Sequence, residues 1–189
     1  PLALANLSQL ALWQGRAALA RKRAQAAQTI ALEVQAHGLE AFSLWCLGQA
    51  ELAQSQVAAA HAAFSAALAA AQDMGSPYVH DARAGLARAE LARGGLQPAR
   101  AHVEALLAHA EVGGSFEGTL ARRLIELSCW QVLNQAGDER APRVLQAAYT
   151  ALMESAAAVQ DATLRAALLS QVPELRLIIQ AWQAGRLSD

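Results

Sequence analysis

The chain has 189 residues, a formal charge of -1, 54% hydrophobic and 16% charged residues, so it can bury a sizeable core and is too apolar to remain disordered. About a quarter of the residues are Ala, Leu is next and β-branched types are sparse, which points to helix and excludes all-β architectures. The near-zero charge argues against a dedicated nucleic-acid or membrane-surface binder.

Turn signals separate helix-length blocks along the whole chain. The breaks fall at Gln14-Gly15, His37-Gly38, Gln54-Ser55-Gln56, Met74-Gly75-Ser76-Pro77, Gly94-Gly95, Gly113-Gly114-Ser115, Gly137-Asp138 and Val172-Pro173. The spacing predicts helices near 2–13, 16–36, 39–53, 57–73, 77–92, 97–111, 116–135, 139–159, 161–170 and 173–184. Pro77, Pro98, Pro142 and Pro173 fall near helix starts, where a missing N–H is tolerated. The start at Pro1 rather than Met reads as a fragment or a processed chain, without a signal peptide. Mean hydropathy is +0.18, but the longest apolar stretch, Val57 to Ala71, is mostly Ala and contains His61 and Ser65, so no transmembrane helix is expected.

The blocks pair into an internal repeat. Leu44, Leu47 and Gly48 are followed by Ala60, Phe64 and Ala67. Leu86 and Ala87, then Ala99, Val103 and Leu106, restate the pattern, and a third copy starts at Leu127 and Ser128. A small residue on the first helix lets the second approach, and the bulky residue at the Phe64 position fills the gap between pairs. The second helix of the first pair, between Gln14 and Gly38, reads as about one turn longer than its counterpart. The predicted fold is all-α, a right-handed α–α superhelix in one domain. Its hairpins span 2–37, 39–75, 77–112 and 116–159, and 161–184 forms a terminal cap.

This spacing resembles the tetratricopeptide repeat. Three further stretches, Gly114–Thr119, Leu127–Leu133 and Leu164–Arg176 with Ala181-Trp182, are similar to the C-terminal arrays of large bacterial signal-transducing ATPases and transcription regulators. The resemblance implies a cytoplasmic arm that senses a partner or inducer and controls an upstream module. No nucleotide-binding loop is present in the sequence. In such repeats, set positions of each first helix line a concave groove. Here they place Phe42, Trp45 and Gln49, then Asp81 and Arg88, then Arg122 in the groove, where aromatics and Arg suit a binding hot spot and Gln49 and Asp81 orient a partner. Trp45 and Trp130 can equally pack between repeats.

No constellation supports an enzyme, a metal site or a cofactor. His102 and His109 are seven residues apart, a poor spacing for one helix to hold zinc, and the carboxylates are scattered. Cys46 and Cys129 read as buried reduced thiols, in keeping with a reducing compartment. Arg16, Arg21, Lys22 and Arg23 read as a solvated helix face. The expected function is a protein–protein interaction scaffold that holds a protein or peptide, or a neighbouring domain of its own chain. The alternatives are a helical inducer sensor and a self-assembly arm. The oligomeric state stays open.

Overall fold

The computed structural model describes residues 1–185, and the regular elements among them are all helices. The elements are α1 (Leu2–Trp13), α2 (Ala17–Glu33), α3 (His37–Ala53), α4 (Val57–Asp73), α5 (Tyr78–Ala92), α6 (Leu96–Glu111), α7 (Arg122–Gln135), α8 (Ala141–Ala157), α9 (Ala162–Gln171) and α10 (Pro173–Gly185). From α1 to α6, and again from α7 to α10, consecutive helices pack on each other. The chain divides into two compact units, residues 1–121 and residues from 122 onward. Among the described residues no helix is long and apolar enough to cross a membrane.

In the first unit one turn design recurs. Gly15, Gln35, Ser55 and Gly75 all have positive φ, so a left-handed residue returns every 20 residues. Each closes the helix before it. Gly15 N–H donates to Leu12 O and Arg16 N–H to Ala11 O, and the same pair of bonds follows Gln35, Ser55 and Gly75. This double bond satisfies the last carbonyls and turns the chain at once into the next helix. None of α1 to α6 has a side-chain N-cap bond.

Three expected boundaries change. The second break lies at Gln35, and His37-Gly38 opens α3 instead of preceding it. As a result α2 and α4 are equal, at 17 residues each, rather than one turn different. The helix expected from 116 begins at Arg122, because residues 116–121 are held in a loop by bonds described below.

Alanine packing builds the core of the first unit. Ala20, Ala24, Ala27 and Ala31 line one side of α2, and Ala60, Ala63, Ala67 and Ala71 one side of α4, all buried. Side chains this small let helices approach closely. Phe64 is the bulky exception. It is fully buried, and a Cβ on Gly48 would lie 2.6 Å from its ring, while one on Gly85 would also overlap it. The ring thus sits between α3 and α5 where both lack side chains. Ser8, at the position Gly48 takes in the next pair, is buried and donates from Oγ to Ala20 O at 2.8 Å, tying α1 to α2. α3 is buried almost all round, packed by α1, α2, α4 and α5.

The second unit has its own core of Leu127, Leu145, Ala148, Leu152, Val172, Leu175 and Ile178, with Trp130 packed against it. Trp182 of α10 stacks on Tyr149 of α8 at 5.0 Å, and Asp161 caps α9 by accepting from Thr163 and Leu164 N–H groups.

Candidate binding site

The α3/α5 face gathers most of the groove residues expected from the sequence. Phe42, Trp45 and Gln49 follow one another at three- and four-residue spacing and so share one side of α3. The rings of Phe42 and Trp45 are 6.3 Å apart, and the Phe42 ring is the same distance from Tyr78 on α5. Arg88 of α5 donates from Nη1 to Gln49 Oε1 at 2.7 Å. These two residues lie 39 positions apart, which is the repeat offset, so equivalent positions of neighbouring pairs meet.

The depth of these residues differs from an open groove. Trp45 is 3% exposed, Phe42 6% and Gln49 8%, whereas Arg88 and Tyr78 are half-buried. Tyr78 was not among the residues singled out from the sequence; its place at the start of α5, one residue after Pro77, was the signal available. Trp45 Nε1 and Gln49 Nε2 are buried with no hydrogen-bond acceptor.

Asp81 serves a different contact. It is 1% exposed, and its two carboxylate oxygens accept from the Leu120 and Ala121 N–H groups, each at 2.9 Å. Burial pushes its pKa up to about 6, against the opposing effect of these backbone bonds. Around it the 112–121 loop is fastened at several points. Phe116 meets His80 edge-on at 5.2 Å, His109 lies 4.1 Å from His80, and a His109 ring nitrogen contacts Ser115 O at 3.1 Å. Burial, followed by the charges of His109 and Arg83, lowers the pKa of His80. Gly118, with φ 78, lies against Pro77.

Arg122 belongs to the second unit. It is exposed and pairs with Glu126 at 3.1 Å. Cys46 and Cys129 are both buried, and burial raises the Cys46 pKa to about 12, so Cys46 is an inert thiol at neutral pH. Among the described residues no cluster of three His, Cys, Asp or Glu is placed to hold a metal ion. An open cleft of about 420 Å³ lies at the N-terminal ends of α3 and α5, between His37, Met74, Pro77, Tyr78 and Gly118.

Comparison with family models, curated proteins and solved structures gives no match to this chain. The tetratricopeptide resemblance has no source besides the chain's own residue spacing.

Proposed function

We propose that the chain is a tetratricopeptide-like α–α superhelix that acts as a protein–protein interaction scaffold, with the α3/α5 face receiving a peptide segment of its partner. The observation that carries this reading is the joining of Phe42, Trp45, Tyr78, Gln49 and Arg88 from two successive hairpins on one face. Half-buried Tyr78 and Arg88 offer the accessible edge of this group, and aromatic and Arg side chains supply most of the energy at binding hot spots. The resemblance noted above extends the reading to a regulatory arm of a larger bacterial signalling protein.

The test is to pan a random peptide library on the purified chain and compare it with the Tyr78→Ala, Arg88→Ala double variant. The expected result is an enriched consensus that binds the chain and loses at least tenfold in affinity to the variant, at unchanged helicity. Peptides that bind both proteins equally, or no consensus at all, remove the α3/α5 face from this role.

The self-assembly reading is favoured by one observation. α1 carries no charged residue, and Leu2, Leu7, Leu10 and Trp13 on it are between 41% and 51% exposed. A second copy seated there would give a mass that rises with concentration in sedimentation. Leu10→Glu with Trp13→Glu would abolish that rise. A mass that stays that of a monomer in the unsubstituted chain removes this alternative.

A further inference from the structure

The face that α3 and α5 each turn to the preceding hairpin is covered, and the same face of α1 is bare. On α3 it holds Cys46 and Ala50, both 0% exposed. Gln9 of α1 donates from Nε2 to Cys46 Sγ at 3.4 Å, and the Cys46 thiol reaches Ala5 O at 3.6 Å. Ala50 packs with Ala11 of α1 and Ala20 of α2. On α5, one repeat further on, the face holds Gly85 and Ala89. Phe64 of α4 fills the space over Gly85, and Ala89 is fully buried. One repeat back from Cys46 and Ala50, in the register that aligns Ser8 with Gly48, stand Asn6 and Leu10 of α1. Leu2 and Trp13 share their side at helical spacing. All four are exposed, Leu2 by 51% and Leu10 and Trp13 by 44% each.

We propose that this face of α1 is a docking surface for a helical hairpin of the same repeat, carried by another protein and packed on α1 as the α1–α2 hairpin packs on α3. This docking rests on the superhelix reading and is independent of the α3/α5 face. Stacked hairpins bury each other's apolar faces, and the two covered junctions within the chain show the form the cover takes. Leu10 stands where α3 and α5 carry Ala50 and Ala89, so the helix opposite it needs small residues to approach closely. The stripe of Ala20, Ala24, Ala27 and Ala31 on α2 is of that kind. Asn6 stands where Cys46 meets Gln9, so the partner also brings one polar side chain to the middle of the contact. α1 has no charged residue, which suits an uncharged partner face. A second copy of the chain is a poor occupant. In the folded chain the alanine stripes of α2 and α4 are at most 7% exposed, so a copy has no such stripe free to offer.

The probe is a synthetic peptide of residues 1–36, the hairpin that covers α3, titrated into the ¹⁵N-labelled full chain. The expected result is saturable binding with amide shifts centred on α1. Leu10→Lys in the chain should weaken it by about tenfold, and so should Ala24→Leu with Ala27→Leu in the peptide, since bulky residues keep the helices apart. No saturable binding overturns the docking surface. So does a leucine-substituted peptide that binds as tightly as the original, which marks unspecific apolar contact. Shifts centred on α3 show that the peptide displaces the chain's own hairpin, and they overturn it as well. Sedimentation of the chain alone completes the test: a mass that rises with concentration and loses that rise in Leu10→Lys seats a second copy on α1 and overturns the proposed partner. Library peptides that bind the α3/α5 face while the hairpin peptide does not bind remove the α1 surface and leave the scaffold standing.

Discussion

Gln35 and Ser55 hold φ of 52° and 59° at turns where Gly15 and Gly75 perform the same task. A side chain in this region costs about 1–2 kcal/mol, because its Cβ crowds the backbone. Glycine removes that strain but has more freedom to lose on folding, about 0.5–1 kcal/mol. Gln35→Gly and Ser55→Gly should each stabilise the chain by about 0.5–1 kcal/mol, read as a higher urea midpoint. The reverse change, Gly75→Ala, should destabilise it by a similar amount. Lower midpoints for both glycine variants would show that the left-handed turns carry no strain.

Asp81 gives the residue scale its pH dependence. Its ordinary pKa of 3.8 rises to about 6 in the folded chain, chiefly through burial. Between these values the folded state binds more protons than the unfolded one, so this group's contribution to stability falls as pH rises. The full effect is about 3 kcal/mol, developed between roughly pH 4 and pH 6 and constant above it. His80 and His102 act in the other sense. Burial is the first cause that lowers both, so their stability is present above the unfolded value of 6.5 and lost as pH falls below it. These histidine effects cancel in the difference between the chain and its Asp81→Asn variant. That difference should move in favour of the variant by up to about 3 kcal/mol from pH 4 to pH 7. A difference that is flat with pH would show that the two backbone bonds fully offset burial.

At the scale of elements, Phe64 couples three helices. Its ring occupies the space left by Gly48 of α3 and Gly85 of α5. Glycine inside a helix costs about 1 kcal/mol against alanine, so two of them facing one ring indicate a packing requirement. Gly48→Ala and Gly85→Ala should each destabilise by about 1–3 kcal/mol despite the better helix propensity, since the ring must shift. Phe64→Ala should cost about 3–5 kcal/mol by opening a cavity. In the Phe64→Ala background the added methyls should become neutral or stabilising. Additive energies in this double-mutant cycle would separate the glycines from the ring.

The same elements show what the sequence made legible. The ten helices of the described residues were visible as blocks of helical length, and seven of the break signals, most of them with Gly or Pro, mark turns between helices. Gln35 escaped because its side chain does not advertise a left-handed turn, and the nearby Gly38 drew the boundary into α3, where it meets Met74. The repeat spacing named Gly48, Phe64 and Ala87 but not Gly85, which meets Phe64 from the following pair. Gln49 and Arg88 were both placed in the groove, but the hydrogen bond between them was not expected. The clasp between Asp81 and residues 120 and 121 was not legible, since it joins segments 39 and 40 positions apart through a loop with no periodicity. The depth of Trp45 was equally hidden, because position on a helix face does not say how much neighbours cover it.

At the scale of the whole molecule, each helix in the first unit is stabilised mainly by its sequence neighbours, as expected where stacked hairpins bury each other's faces. Protection should therefore follow how much of each helix its neighbours bury rather than be uniform. α3 is packed by four helices and buries Ala41 to Cys46 together with Gly48 to Glu51. α9 buries no residue at all, and α1 keeps four large apolar side chains exposed. Local opening free energies range from near zero up to the global value, in units set by buried contacts. Amide hydrogen exchange followed by mass spectrometry should rank α3 and α5 slowest, α2, α4 and α6 intermediate, and α1 and α9 fastest. Phe64→Ala should accelerate α3, α4 and α5 together and leave α7 to α10 at their original rates, because those helices belong to a unit with its own core. If the substitution accelerates every helix equally, the chain unfolds as one cooperative block, and the nearest-neighbour account of its stability fails.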